Sequence, residues 1–198
     1  MAALVLLLIV IGLTSTYQSS NKADAQSKPR FNPSAYASKT YTSKVAPAIK
    51  KNAVDIAALH EAITANPEAA GRRYGHRAGT GPYSYSVSLT GTAGKAQSGL
   101  LPLTVKGLNK VQVSVQIGPA ISGTALRDAP GFIKFGQFTN QVEYADAATA
   151  LNAEMKAKVL KSFDAAAADG KKVTIIGAMT PLTPDVLTIT PISIEVAP

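Results

Sequence analysis

Residues 118–146 hold an unusual concentration of chemically versatile side chains in this 198-residue sequence. An arginine fork can bind anions or hydroxyls, a carboxylate can accept hydroxyl protons, and amide or phenol groups can donate and accept hydrogen bonds. Such a set suits the recognition of a small polar ligand. The residues that we predict to bind it are Arg127, Asp128, Asn140, Gln141 and Tyr144.

The same side chains could instead stabilise their own segment. Arg127 could bind loop carbonyls while Asp128 caps the next turn, as short polar side chains often do. Adjacent residues on a strand point to opposite faces, so both would reach one ligand only from a loop or turn. The residue types favour the intramolecular role for this pair, and they suit Asn140 and Gln141 to either role.

The residue types support a catalytic role less well than they support ligand recognition. Asp128 or Glu143 could act as acid or base on a carbohydrate, but glycoside hydrolysis requires a defined separation of two carboxylates across a cleft. Neither histidine lies near a serine-nucleophile motif, and no phosphate-binding fingerprint follows a predicted strand. The absence of cysteine excludes thiolate catalysis and cysteine-based zinc sites. We therefore predict a protein that is not an enzyme and uses no metal or cofactor, with a carbohydrate-active enzyme as the alternative.

The net charge of +8 and the pI near 9.7 raise the question of a nucleic-acid or membrane partner. Charged residues make up only 16% of the chain, and no four basic residues are consecutive. The densest basic set is interleaved with alanine, which indicates a solvated face. It comprises Lys39, Lys44, Lys50, Lys51, Arg72, Arg73 and Arg77.

Three helix-start signals follow one another between residues 31 and 78. An Asn or Asp stands in each at the position of an N-cap, and in two of them proline follows at the first helical position. These signals predict an N-terminal helical arm over residues 31–78. They are Asn32-Pro33, Asp55 and Asn66-Pro67.

Residues 79–198 show the two-residue alternation of half-buried strands. Five strands are indicated. In the first, Tyr85 and Val87 alternate with Ser84 and Ser86, which places the serines outward. The last strand requires a bulge near Pro191, because its inward phase changes there.

An amphipathic helix, capped by Asp146, is predicted between the third and fourth strands. Three strands, a helix and two strands form the element order of the five-stranded OB barrel. We therefore predict an α+β fold, an OB-like barrel with a helix between strands 3 and 4, preceded by the helical arm. An open antiparallel sheet crossed by one helix is the alternative.

Phe132, Phe135 and Phe138 recur at every third position after the third strand. This spacing is more typical of hydrophobic packing than of ligand stacking, so we predict that they plug the open end of the barrel. The outward positions of the second and third strands carry Thr, Gln, Ser and Lys rather than the aromatic residues on which single-stranded nucleic acids stack. We therefore predict no nucleic-acid partner.

Residues 2–13 are twelve apolar residues without a charge. That is the length of a signal-peptide core, and it is shorter than the roughly 20 residues that a spanning helix prefers. We predict an uncleaved signal anchor over residues 1–17 and a polar tether over residues 18–30; cleavage after Ala25 and a buried helix are the alternatives. Basic residues follow the apolar run and none precedes it, which alone would place the body in the cytoplasm.

The segment after the third strand carries the series Ile117-Gly118-Pro119, Gly123-Thr124-Ala125-Leu126-Arg127-Asp128, Phe132, Phe135, Phe138, Asn140-Gln141 and Tyr144-Ala145-Asp146. This series resembles the pattern of an uncharacterised bacterial family of predicted periplasmic lipoproteins. The likeness also covers residues 31–75, which resemble the helical lead of that family.

The resemblance implies an exported, membrane-tethered protein with an OB-like barrel, from a family often met beside sugar ABC transporter genes. It brings no catalytic residues, because no activity is established for the family. The family's usual lipobox cysteine is missing here, so the apolar N-terminal segment would anchor the chain in the inner membrane, with its body in the periplasm. The expected partners are a transporter component or a small polar ligand.

Overall fold

The structure is a computed structural model, and it describes residues 30–197. The predicted signal anchor (1–17) and nearly all of the predicted tether (18–30) lie outside the described residues. From Asn32 onward the chain forms one compact unit. None of the helices within residues 30–197 combines the length and the apolar character needed to cross a bilayer.

Five strands close into a barrel in the order β3-β4-β5-β7-β6, and β6 pairs again with β3. Neighbouring barrel strands are antiparallel except β5 and β7, which run parallel. This is the predicted OB arrangement, and the closure by β3 and β6 makes the alternative of an open sheet wrong. The strands are β1 (Val54–Asp55), β2 (Gly75–His76), β3 (Ser84–Ala93), β4 (Leu100–Val105), β5 (Gln112–Gln116), β6 (Lys172–Met179) and β7 (Val186–Val196).

The barrel interior is built by the predicted alternation of side chains. Val113 and Val115 on β5 face Leu187 and Ile189 on β7, and all four are buried in one hydrophobic cluster, the barrel core. The predicted bulge in β7 is confirmed. Gly177 pairs with Pro191 while Ile176 pairs with Ser193, so Ile192 is the extra residue between them.

One helical region precedes the barrel strands in the sequence, and a second lies between β5 and β6. A five-residue π-helical turn, Tyr41–Val45, joins α1 (Pro33–Thr40) to α2 (Ala46–Asn52). A second π-helical turn, Lys156–Leu160, extends α6 (Gln141–Met155). The three predicted caps are confirmed, because the side chains of Asn32, Asp55 and Asn66 each accept a backbone N–H of the following turn. The helices are α1 (Pro33–Thr40), α2 (Ala46–Asn52), α3 (Ile56–Ala65), α4 (Pro67–Tyr74), α5 (Ala125–Asp128) and α6 (Gln141–Met155).

The helix pair α1–α2 covers the outside of the barrel. Its buried residues Ala37, Tyr41, Val45 and Ile49 are spaced by four. A spacing of four residues exceeds the 3.6 residues of an α-helical turn. The π-helical turn between the two helices therefore helps to keep all four residues on one side. They pack with α6 and with Ala178 of β6 into a second cluster, the outer core.

The outward serines of β3 are buried, contrary to the prediction from alternation. Ser84 is 1% and Ser86 2% exposed, because helices pack on this side of β3. The short strands β1 and β2, which lie in the predicted helical arm, also pair with β3. Both surfaces are therefore occupied in the first half of β3, whereas Thr90 and Thr92 in its second half are exposed, as alternation predicts.

Candidate functional site

Arg127 and Asp128 form a buried ion pair within the one-turn helix α5. Arg127 donates from Nε to Asp128 Oδ1 at 2.8 Å and from Nη2 to Oδ2 at 3.1 Å. The two side chains are 8% and 10% exposed. The helical turn lets both point the same way, which an extended strand would prevent, and the paired geometry is that of a strong, charge-assisted contact.

Tyr144 completes this arrangement from α6. The Arg127 Cζ lies 3.5 Å from the centre of the Tyr144 ring, and Arg127 Nη1 donates to the Tyr144 carbonyl at 3.0 Å. The Tyr144 hydroxyl donates to Asp128 Oδ1 at 3.2 Å. We call these three residues the buried cluster; their polar groups hold α5 against α6.

Burial, and after it the negative charge of Asp128, raises the pKa of the Tyr144 phenol above its ordinary value, although Arg127 opposes the shift. The phenol therefore stays protonated and donates to Asp128 at physiological pH. This places the phenol, the carboxylate and the guanidinium in intramolecular contacts.

Asn140 and Gln141 do not join the buried cluster. Asn140 is the N-cap of α6, and its Oδ1 accepts the Glu143 N–H at 2.9 Å. Glu143 in turn accepts the Thr139 N–H at 2.9 Å. The predicted cap at Asp146 is wrong, because the helix already begins at Gln141. The Gln141 side chain is exposed. The prediction that Asn140 and Gln141 bind a ligand stays a prediction.

The three phenylalanines do not plug the barrel, which corrects the prediction from their spacing. Phe132 and Phe138 pack against the outer core, and Phe138 lies 5.3 Å from Tyr144 and 5.6 Å from Tyr36, measured between ring centres. Phe135 is 44% exposed and contacts Tyr144 edge to face. They enclose the buried cluster on the outside of the barrel.

A groove formed by β4, β5, β7 and the loops beside them is the stronger candidate for a binding site. One part, the strand compartment, has a volume of about 470 Å³. Its lining combines residues of the three strands, most of them outward, with residues of the β3–β4 loop. They are Lys95, Gln97, Ser98, Leu100, Pro102, Leu103, Val111, Gln112, Val113, Ser114, Val186 and Thr188.

The second part, the loop compartment, has a volume of about 310 Å³ and adjoins the first through the shared residues Val186 and Thr188. It lies between β7, the β6–β7 loop and the loop that leads to α5. Its lining is rich in hydroxyls and consists of Gln116, Ser122, Gly123, Thr124, Ala125, Thr180, Leu182, Thr183, Val186, Thr188 and Thr190. The two compartments together form the β4–β5–β7 groove.

Hydrogen bonds fix the wall of the loop compartment. Gln116, which is buried, donates to the hydroxyl of Thr190 at 2.9 Å and accepts the Ser122 N–H at 2.9 Å. Asn152 of α6 donates to the Gly123 carbonyl at 2.9 Å. The loop is therefore held to β7 and to α6, so this wall of the groove is preformed.

On the floor of the groove, Ser114 and Thr188 stand directly opposite each other on β5 and β7. Their hydroxyl oxygens are 3.4 Å apart, a long contact that leaves both groups able to bind an added hydroxyl. One indirect signal for these residues is present in the sequence, because both occupy outward positions of alternating strands. Only the strand register, however, brings them together.

No metal centre accompanies either region: within residues 30–197, no three His, Asp or Glu side chains are placed to hold an ion together. The groove has neutral hydroxyl and amide groups, aliphatic walls and the single cation Lys95. Pockets of a few hundred Å³ with such linings are typical of small-molecule sites.

Comparison with known proteins supports the fold and gives a family. The family model described as "Predicted periplasmic lipoprotein (DUF2291)" matches residues 3–195. A solved structure described as an OB-fold protein from Thermotoga maritima MSB8 is 21% identical in sequence, with a TM-score of 0.70. The similarity covers 85% of this chain and 100% of that chain. No curated protein sequence matches the chain.

Proposed function

The chain belongs to the DUF2291 family of predicted periplasmic lipoproteins, and from this premise we propose that it is a non-enzymatic binding protein that holds a small hydroxylated ligand in the β4–β5–β7 groove. The observation that carries the proposal is a groove lining rich in hydroxyl and amide groups, with Lys95 as its one charged residue. Hydroxyl groups of a sugar or polyol would find donors and acceptors there at modest desolvation cost.

The composition of the lining narrows the class of ligand. Among the residues that line the two compartments there is no aromatic ring and no carboxylate. Proteins that bind single-stranded nucleic acids stack the bases on aromatic side chains, which this lining lacks. Lys95 at one end could accept a weakly anionic substituent. By analogy, OB barrels commonly use this strand face and its loops for ligands.

The finer part of the proposal concerns the cellular setting. Residues 1–17 would attach the chain to the inner membrane, with the barrel in the periplasm, where it would serve as an accessory of a sugar ABC transporter. The family description and the hydroxyl-lined groove are compatible with this role. Deleting the gene should then slow uptake of the sugar that the purified protein binds.

Calorimetry and thermal shift with neutral sugars, polyols, sugar acids and nucleotides would test the ligand class. Thr188→Val should weaken binding about five- to tenfold, since one hydroxyl contact is lost without a change of shape. Thr90→Val is the matched control, because Thr90 pairs with Thr174 at 3.1 Å on the β3–β6 part of the barrel surface. Equal affinities for the two variants, or no bound compound in the panel, would overturn the proposal.

A second candidate is the docking of a transporter component at the β6–β7 loop. Leu182 is 86% exposed between Pro181 and Pro184, and exposed aliphatic side chains continue along the groove at Val186 and Leu100. Rigid, exposed apolar positions suit protein contacts. Leu182→Asp should abolish co-purification with the importer. Because Leu182 also lines the loop compartment, Thr188→Val separates the two roles: it should weaken sugar binding and leave co-purification intact.

An enzymatic role on carbohydrate is the weaker alternative. Asp128 is held by Arg127 and Tyr144, and Glu143 accepts a backbone N–H near the start of α6. A general acid or base must instead reach the substrate. We expect no hydrolysis of glycosides by the purified chain, and turnover that is lost in Asp128→Asn or Glu143→Gln would reverse this assignment.

A further inference from the structure

The positive charge of the chain is concentrated in the helix pair α1–α2 and its flanks. Residues 30–54 contain five basic residues and no acidic one. Residues 55–198 contain thirteen basic and eleven acidic residues, so their charges nearly balance. The excess charge is thus a property of one element rather than of the whole surface.

Four of these charges form what we call the lysine surface: Lys39, Lys44, Lys50 and Lys51. All four are exposed, and among residues 30–197 none of them lies within 4 Å of a carboxylate, unlike the paired Arg72, Arg77, Arg127 and Lys158. Glu154, which approaches Tyr41 on the buried side, is itself paired with Lys158 at 3.4 Å. The lysine surface therefore lacks local neutralisation.

The spacing of the lysines indicates an extended anionic partner. Lys39 and Lys51 are twelve residues apart, or about 18 Å along a helix. Screening in physiological salt limits exposed charges to interactions over about 8–10 Å. One compact anion would therefore meet one or two of the lysines, whereas a plane of negative charge can meet lysines along the whole length of the helix pair. The exposed neighbours Ser38, Thr42 and Ser43 are small and polar, as a headgroup layer requires.

We propose that the lysine surface rests on anionic phospholipid headgroups, as a second membrane contact besides the N-terminal attachment. The first membrane contact is the N-terminal attachment of the proposed function, on which this inference rests, and α1 begins at Pro33, about 20 residues after the apolar residues 2–13. Basic residues near an anionic bilayer each add to its affinity. Membrane binding commonly needs two such signals. The contact would orient the β4–β5–β7 groove relative to the bilayer.

The full chain in vesicles provides the test, because it has no cysteine and accepts a single labelled one. Thr42→Cys places a fluorophore on the lysine surface, and Leu182→Cys places it on the groove. Quenching by a headgroup-labelled lipid is measured in phosphatidylcholine vesicles with and without phosphatidylglycerol. We expect phosphatidylglycerol to increase quenching at residue 42 more than at residue 182, and about 0.5 M NaCl to reverse the increase.

Charge variants separate the lysine surface from net charge. Replacing Lys39, Lys44, Lys50 and Lys51 by Gln should shift the ratio of docked to undocked protein by at least about tenfold. The matched control removes four exposed lysines elsewhere: Lys106, Lys110, Lys161 and Lys172. It should retain the response to phosphatidylglycerol. Melting curves on both variants check that the fold is intact.

Three outcomes would overturn the proposal. The first is equal quenching at residues 42 and 182 in both lipid mixtures. The second is an equal loss of the response in the control variant, which would show that only net charge matters. The third is a response of the probe at residue 42 to soluble poly-glutamate but not to phosphatidylglycerol, which would assign the surface to an acidic protein partner.

Discussion

The buried cluster and the β4–β5–β7 groove lie on the outside of one barrel and differ in what covers them. Arg127, Asp128 and Tyr144 hydrogen-bond one another between α5 and α6, and Phe135 and Phe138 pack against Tyr144. Ser114 and Thr188 line the groove, and their hydroxyls are only loosely paired. The comparison shows that polar side chains are fully paired within the protein in one region and remain able to bind an added group in the other.

The largest effect that would test this comparison is expected from Arg127→Ala. The variant leaves the Asp128 carboxylate buried without its partner, and loss of one member of a buried ion pair costs about 3–5 kcal/mol. Urea unfolding monitored by circular dichroism measures the change. Arg72→Ala, in an exposed pair with Glu68, should cost under about 1 kcal/mol. Similar losses in the two variants would mean that the cluster contributes no special stability.

Two glycines with positive φ compare crowding in the two regions. Gly131 (φ +79°) packs against the ring of His76, where a Cβ would lie 2.3 Å from ring carbon Cδ2, whereas Gly123 (φ +89°) lines the groove in open space. Alanine strains the backbone at both sites, but only Gly131→Ala must also displace the ring. We expect it to lose about 1–3 kcal/mol more than Gly123→Ala in thermal unfolding. Equal losses would contradict close packing at Gly131.

Removal of one hydroxyl should have opposite effects on two buried tyrosines. Tyr144→Phe loses the hydrogen bond to Asp128 and should cost about 1 kcal/mol. Tyr41 has a buried hydroxyl without a partner among residues 30–197, so Tyr41→Phe should be neutral or stabilising by up to about 1 kcal/mol. Parallel urea titrations would distinguish the two, and a destabilised Tyr41→Phe would reveal a partner for that hydroxyl.

The same tyrosine gives a pH dependence. Burial first, and then the charge of Glu154, raises the pKa of Tyr41 above its ordinary value. Its folded pKa exceeds its unfolded pKa, so its contribution is complete below about pH 10 and is lost as the pH rises further. Tyr41→Phe should therefore flatten the fall in stability between about pH 10 and 11. An unchanged slope in that range would rule out Tyr41 as the cause.

The smallest effect is expected from serine hydroxyls. Ser84→Ala removes a buried contact of 2.7 Å with Thr180 and should cost about 1 kcal/mol. Ser114→Ala removes the 3.4 Å contact with Thr188 at the partly exposed floor of the groove and should change stability by under about 0.5 kcal/mol. A larger cost for Ser114→Ala would show that this hydroxyl is structural and would weaken its assignment to a ligand.

The sequence predicted those parts of the fold that depend on local pattern. Alternation revealed the strands, the phase change at Pro191 revealed the bulge, and Asn32 and Asp55 marked helix starts. Burial of Ser84 and Ser86 depended on helices distant in sequence, which alternation cannot register. The barrel itself therefore followed from the sequence, and the covering of its outer surface did not.

The candidate site was less accessible to prediction for a related reason. The residues of the buried cluster were predicted as a site because they are close in sequence and carry charged or phenolic groups. Ser114 and Thr188 are separated by the whole helical segment and carry plain hydroxyls, and only the parallel register of β5 with β7 joins them. The signal that could have found them is the set of outward residues on the second, third and fifth barrel strands, considered together.

Closure of the barrel also has a consequence for how the chain folds. Tyr85 on β3 pairs with Met179 on β6, nearly half the chain away. Contacts so distant in sequence slow folding, because the entropy of a long loop must be lost before the pairing forms. During synthesis, β3 cannot pair with β6 until β6 has emerged from the ribosome. The nascent barrel therefore stays open until most of the chain has been made.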